Sequence, residues 1–160
     1  MSEAAGASVH ASAVGVGNRA VLIRGPSGSG KSRLAFDLIL AGRSGQIPQA
    51  LLIGDDRVHL EASDGQLVVR AARELAGLIE IRGLGIRRLD FAESATVGLV
   101  VDLAAADAER LPPPEALQAR ILGVLIPRIP VAKDHAALPL VVAGLTTTGS
   151  SISADFQLIV

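Results

Sequence analysis

Between Gly25 and Ser32 the chain reads Gly-Pro-Ser-Gly-Ser-Gly-Lys-Ser. This spacing, G-x-x-x-x-G-K-S/T, is that of the phosphate-binding P-loop, which works only between a strand and a helix and so constrains the fold more than any other stretch. Both flanks comply. Ala20-Val-Leu-Ile23 is a short apolar run suited to a buried strand, and Leu34, Ala35, Leu38 and Ile39 recur at helical spacing. The glycines let the backbone turn tightly and aim successive N–H groups at an anion, to which the following helix presents its positive end. Lys31 would reach phosphate oxygens and Ser32 a Mg²⁺ ion. A plain Gly/Ser turn would join a strand to a helix equally well, but it would not explain a Lys-Ser pair at the helix start. The chain holds 13 arginines and only two lysines, Lys31 and Lys133. That the loop carries one of the two fits its geometry, which accepts a compact ammonium and not a planar guanidinium.

A length of 160 residues suits one domain, 1–160, with a single core of ordinary size. The net charge of −1 gives no basic footprint for nucleic acid, and 2% aromatic residues leave little for bases to stack on. With no cysteine there is no disulfide framework or thiolate zinc site. The first residues include Glu3 and lack a basic flank followed by an apolar core, and no apolar run reaches the 18 or more residues of a membrane span. The expectation is a cytoplasmic protein with no membrane and no nucleic-acid partner. Its hydrophobic fraction of 49% is core material, a sheet covered by helices, with some available for a subunit interface.

Ser8 to Val16 alternates small, polar and apolar residues and predicts a strand with one wet face, followed by a turn at Asn18. After the P-loop helix, Ala41-Gly-Arg-Ser-Gly45 supplies a stop, and Ala50-Leu-Leu-Ile53 predicts a second buried strand ending at Gly54-Asp55-Asp56. Arg57 to Glu61 and Gln66 to Arg70 flank the turn signal Ser63-Asp-Gly65 and predict a hairpin. Leu78 to Arg82 alternates before Gly83 and Gly85 break it. Val97 to Leu103 predicts a third apolar strand closing on Asp102, and Ala104 to Gln118, with Pro112 to Pro114, predicts a loop with at most a helical turn. Two short apolar stretches follow, Ile121 to Ile126 and Leu138 to Leu145, then a small, polar tail, Thr146 to Ser153. Many strands with few helices predict an α/β fold, a P-loop nucleotide-binding core whose mixed sheet has high antiparallel content.

A nucleotide site needs carboxylates near the loop, and two strand ends offer them. Asp102 resembles the acidic end of a Walker B strand, which holds Mg²⁺ directly or through water. Asp55 and Asp56 make the rival claim. Successive strand residues face opposite ways, so those two can converge only if the strand breaks, which Gly54 permits. One carboxylate could then accept a proton while the other orients metal or water. The simpler reading of either end is an acidic turn closing a strand. His10, on the strand before the P-loop, reads first as an ordinary half-buried imidazole and second as one approaching the phosphates; His59 and His135 have no partner at ligand spacing, and Glu80 and Arg82, two apart on one strand face, read by default as a solvated pair.

Taken together, His10 ahead of the P-loop, GPSGSGKS, Leu51 to Val58 (LLIGDDRV) and above all Glu74 to Ile86 (ELAGLIEIRGLGI) resemble, in that order, the catalytic domain of HPr kinase/phosphorylase. The last stretch is close to that family's signature and far more specific than a P-loop. The resemblance runs from about Val9 to Val131, in a compact form similar to the short proteobacterial members that lack the N-terminal domain. It implies an ATP-dependent, Mg²⁺-requiring serine kinase acting on an HPr-like phosphocarrier protein of the phosphotransferase system. Some members use pyrophosphate, and many run the reverse, phosphorylase reaction. Carried over residue by residue, it implies nucleotide binding by Gly25, Pro26, Ser27, Gly28, Ser29, Gly30, Lys31 and Ser32. Asp55 becomes the proton-transfer carboxylate, supported by Asp56 and His10, with Ser32 and Glu80 on the metal. Arg82 and Arg110 become phosphate-holding arginines, Arg82 associated with phosphorylase activity. Asp102 then has a structural role. A homo-oligomer, a hexamer in the family, is also implied. The chain departs from the family at Arg33, where many members have an acidic residue, and after Val131, where Ala132-Lys-Asp-His135 replaces a Gly-Arg-Asn segment and the long C-terminal helices are not evident.

Two other readings use the same P-loop. A small-molecule kinase would need a mobile Arg-rich lid, and no such insertion follows the second strand. An ATP-sensing module would keep Lys31 and Ser32 without transfer. Guanine readout through Asn-Lys-x-Asp is not available, since Asn18 is the only asparagine.

Overall fold

The computed structural model describes residues 5–149. The P-loop strand β3 (Arg19–Arg24) runs directly into the loop and then into α1 (Lys31–Arg43). Before it lie β1 (Ala5–Val9) and β2 (Ser12–Val16), and after α1 come β4 (Ala50–Gly54), β5 (Val58–Ser63) and β6 (Gln66–Ala71). A small hairpin, β7 (Leu78–Ile81) and β8 (Gly85–Arg88), precedes the long strand β9 (Ser94–Asp102), and a second hairpin, β10 (Gln118–Ile121) and β11 (Val124–Pro130), leads to α2 (Ala137–Thr146).

The main sheet runs β1-β5-β6-β9-β3-β2-β4. At its centre, β9 has β3 along one edge, while the other edge is shared by β6 at its start and β11 at its end. Among the strands of the described residues, the β3–β9 and β9–β11 pairings are parallel and the other strand pairs are antiparallel. The expected mixed sheet of high antiparallel content is therefore the fold.

Alternation divides the apolar side chains between two cores. Val21 and Ile23 of β3, with Leu99 and Val101 of β9, face α1 and α2, where they meet Leu34, Leu38 and Val141. Ala20, Leu22, Val97 and Val100 face the other way, onto Val58, Leu60, Leu67 and Val69 of the β5–β6 hairpin. The period of two is interrupted at Gly98, an extra residue opposite the Ala20/Val21 step. A Cβ there would sit 3.1 Å from that of Arg19, so a glycine lets the bulge form and re-aims the rest of β9. The buried face of α1, Leu34, Ala35, Leu38, Ile39 and Ala41, follows the helical spacing of the sequence.

The stretch Ser8 to Val16 departs from expectation. It is two strands separated at His10–Ala11: β1 pairs with β5, and β2 lies between β3 and β4 with every residue buried. Alternation of small residues suggested a wet face, but a strand inserted between two others and covered by both cores has none. The apolar stretch Ile121 to Ile126 is the turn of the β10–β11 hairpin, with Leu122 and Gly123 at positive φ. Leu138 to Leu145 is helical, and its Pro139 falls in the first turn of α2, where no intrahelical N–H is needed. Within the tail, Ser150 to Ser153 lies outside the described residues. Among the described residues no helix is long and apolar enough to cross a membrane.

Candidate active site

Gly30 enters α1 at φ 101, a left-handed conformation that glycine adopts without steric cost. The loop closes on itself by a bond from the Ser29 N–H to the Pro26 carbonyl (3.0 Å), and helix bonding begins at once with the Leu34 N–H on the Gly30 carbonyl (2.9 Å). The N–H groups of the first helical turn have no partner within the helix, which makes this end an anion site. Lys31 folds back over the loop, its Nζ donating to the carbonyls of Gly25 (2.8 Å) and Pro26 (3.2 Å). Ser29 Oγ is buried in the loop with no hydrogen-bond partner.

Asp55 follows β4 and points inward at 5% exposure. Its Oδ1 accepts from the hydroxyls of Ser12 and Ser32, each at 2.7 Å, and its Oδ2 from the Glu80 backbone N–H at 3.1 Å. Three distant pieces of chain, β2, the P-loop helix and β7, thus converge on one carboxylate. The donors are two neutral hydroxyls and an amide, so the negative charge of an ionised Asp55 meets no cation among these three partners. That arrangement orients the carboxylate without pairing it to a cation, leaving it able to accept a proton or face a metal ion.

Asp56 does not converge with Asp55. It sits at φ 68, and its side chain is 76% exposed, with its Oδ1 4.0 Å from Nδ1 of the equally exposed His10. The backbone reverses through this step, the Arg57 N–H bonding the Asp55 carbonyl at 2.8 Å, and the two carboxylates go to different environments. His10 lies in the bend between β1 and β2 rather than on a strand. Glu80 contributes its backbone to the cluster while its side chain is exposed on β7. Arg82 is exposed where β7 turns into β8, and Arg110 is exposed in the segment after β9. The structure therefore brings together Ser32, Asp55 and the Glu80 backbone, sets His10 and Asp56 as a pair at the surface, and leaves Arg82 and Arg110 on exposed segments.

Asp102 is engaged differently. Arg24 grips it with two parallel bonds, Nε to Oδ1 at 2.7 Å and Nη2 to Oδ2 at 2.8 Å, and Arg128 Nε adds a third to Oδ2. Burial pushes the Asp102 carboxyl up, but the hydrogen bonds and charges of Arg24 and Arg128 outweigh it and hold the group below the usual carboxylate range. Asp107, gripped by Arg128 at 2.8 and 3.0 Å, is lowered chiefly by that bond. The hydrogen bond to Asp107, against the opposing effect of burial and with help from Asp102, raises Arg128 above the ordinary guanidinium range. A carboxylate held by two cations has less charge to offer a divalent ion, which speaks against the Walker B reading of Asp102.

Ser12, the second hydroxyl on Asp55, belongs to no motif in the sequence; its one local signal is a serine opening a strand that is otherwise small and apolar. Arg24, Arg128 and Asp107 belong to none either, and their pairing crosses 78, 26 and 21 residues of chain.

Comparisons with known proteins agree with one another. A profile of the family described as HPr Serine kinase C-terminal domain matches residues 2–143. The HPr kinase/phosphorylase of Clostridium beijerinckii is 40% identical over 78 residues, 49% of this chain and 24% of that protein. The one from Pediococcus pentosaceus is 44% identical over 80 residues, 49% of this chain and 23% of that protein. The match thus spans about a quarter of the length of these curated relatives. The structure of the Hpr(Ser) kinase/phosphatase from Coxiella burnetii superposes with a TM-score of 0.69 at 26% identity, over 86% of this chain and 92% of that one.

Proposed function

The chain belongs to the HPr Serine kinase C-terminal domain family, and on that premise we propose that it transfers the γ-phosphoryl group of ATP to a serine of an HPr-like phosphocarrier protein. The observation that carries this is Asp55, buried beside the P-loop helix and hydrogen-bonded to Ser32 and Ser12. In the forward step the acceptor serine oxygen forms a bond to the γ-phosphorus, the bond to the β-phosphate oxygen breaks, and Asp55 takes the serine proton while ADP leaves. Lys31 exchanges the Gly25 and Pro26 carbonyls for phosphate oxygens, and the N–H groups of the loop orient the chain of phosphates. Arg82 and Arg110 reach phosphate from their exposed segments, and His10 with Asp56 borders the entrance.

The oxygen donors at the loop suit Mg²⁺: the Ser32 hydroxyl and the Asp55 carboxylate are hard ligands, and this ion keeps several waters and takes one or two carboxylates plus substrate phosphates. Ser32 and Glu80 would hold it, with Asp55 adjacent, and it would neutralise charge developing on the phosphates. Pyrophosphate as an alternative donor, the reverse phosphorylase reaction, a cytoplasmic site of action and assembly into a homo-oligomer accompany this reading.

Incubation with an HPr-type carrier and Mg-ATP should yield an acid-stable phosphoserine, detected by mass spectrometry, and Lys31→Met should weaken nucleotide binding about a hundredfold by titration calorimetry. Rapid phosphorylation of a small metabolite in place of the carrier would move the protein to the small-molecule kinases. Nucleotide binding with no transfer to any acceptor would make it an ATP sensor.

A further inference from the structure

Arg24 is the last residue before the phosphate loop, and the pair Asp102-Leu103 fixes it twice. Its side chain is held by Asp102, and its carbonyl accepts from the Leu103 N–H at 2.8 Å. Leu103 also lies against the loop itself: a Cβ at Gly25 would stand 3.0 Å from Leu103 Cβ. On the far side of Asp102 stands Arg128, 13% exposed in its side chain, whose donors go to Asp102, to both oxygens of Asp107 and to the Ala116 carbonyl at 2.8 Å. Bonds to Asp102 and Ala116 engage two of its five N–H groups. Its grip on Asp107, 53% exposed, reaches out to the segment following β9, three residues before Arg110.

We propose that Arg128 is a positioning residue: through Asp102 and Arg24 on one side and Asp107 on the other, it holds the segment Leu103 to Arg110 in fixed register with the phosphate loop. Occupancy of the loop and order of that segment are then linked, because the two share one hydrogen-bonded chain of four charges. The planar guanidinium is what permits this, since it can serve two carboxylates and a carbonyl at once and an ammonium cannot keep that geometry. The inference rests on reading Gly25 to Ser32 as a phosphate site.

Amide hydrogen exchange of the full chain, with and without saturating Mg-ATP, tests it. In the wild type, Mg-ATP should slow exchange both in Gly25–Ser32 and in residues 104–110. Asp107→Asn, at an exposed position that does not endanger folding, should speed exchange of 104–110 about five- to tenfold and abolish its response to Mg-ATP, while the loop remains protected. Asp107→Glu should restore the response, and Arg128→Lys should behave as Asp107→Asn does. Where carrier phosphorylation is measurable, Asp107→Asn should lower kcat and leave the KM for ATP within about twofold. Protection of the loop with no response in 104–110 of the wild type, or unchanged exchange in Asp107→Asn, would overturn the link alone. Loss of protection in both regions would overturn the phosphate reading and the link with it, whereas absence of transfer to a carrier would leave the exchange result to decide.

Discussion

Asp55 and Asp102 end two apolar strands, β4 and β9, and both are largely withdrawn from solvent. Around Asp55 the partners are two hydroxyls and a backbone amide; around Asp102 they are two guanidiniums. The first set of donors orients a charge and leaves it in place, while the second cancels it. Position at a strand end thus decides only that a carboxylate reaches the loop side of the sheet, and the neighbours from other parts of the chain decide whether it can do chemistry.

The largest effect should come from Asp55→Asn, which keeps the size of the side chain but removes the proton acceptor. Carrier phosphorylation should fall about a thousandfold, with nucleotide still bound in calorimetry. A rate equal to wild type would erase the distinction between the two carboxylates. Asp102→Asn should act on folding instead: leaving Arg128 without its inner partner costs about 3 kcal/mol by denaturant titration, whereas transfer should fall only about tenfold, through the displaced segment. Loss of Mg²⁺-dependent nucleotide binding in Asp102→Asn would reverse the comparison.

Acid sharpens it further. Because the folded-state pKa of Asp102 is depressed, its contribution is complete above the ordinary aspartate value of about 3.9 and is lost as pH falls below that toward the folded value. The stability gap between wild type and Asp102→Asn, measured by urea unfolding, should therefore be constant from neutral pH to about pH 5 and shrink on further acidification. A gap that widened in acid would contradict the assignment. The smallest effect belongs to Ser12→Ala, which removes one of three donors to Asp55 and should lower stability by about 1–2 kcal/mol while reducing carrier phosphorylation about threefold. An unchanged rate would make Ser12 a packing residue.

What could be read without the structure were the features encoded within a few residues of one another. The P-loop with its flanking strand and helix, the hairpin turning at Asp64 and Gly65, and the apolar runs ending at Asp55 and Asp102 all depend on local spacing. The division of Ser8 to Val16 at His10 was not legible, because the same alternation serves one strand or two and only pairing with β5 separates them. Nor were the partners of the two aspartates, since Ser12 is 43 residues from Asp55 and Arg24 is 78 from Asp102. Resemblance to a family pointed to Asp55 over Asp102, but the physical reason for the difference lies in side chains that touch only after the sheet has assembled.

The central place of β9 has a consequence for how the molecule comes to exist. β3, which carries the phosphate loop, has its parallel partner 77 residues later, Arg19 lying opposite Thr96, and Arg24 opposite Asp102. Local hairpins such as β5–β6 can form early, but β3 and the loop stay without one side of their sheet until this distant strand docks, and closing so long a segment is slow. During synthesis the loop leaves the ribosome long before β9 does. The nascent chain therefore carries the complete P-loop motif while everything from Arg33 to Asp102 is still being added, without the sheet that would let it hold a phosphate.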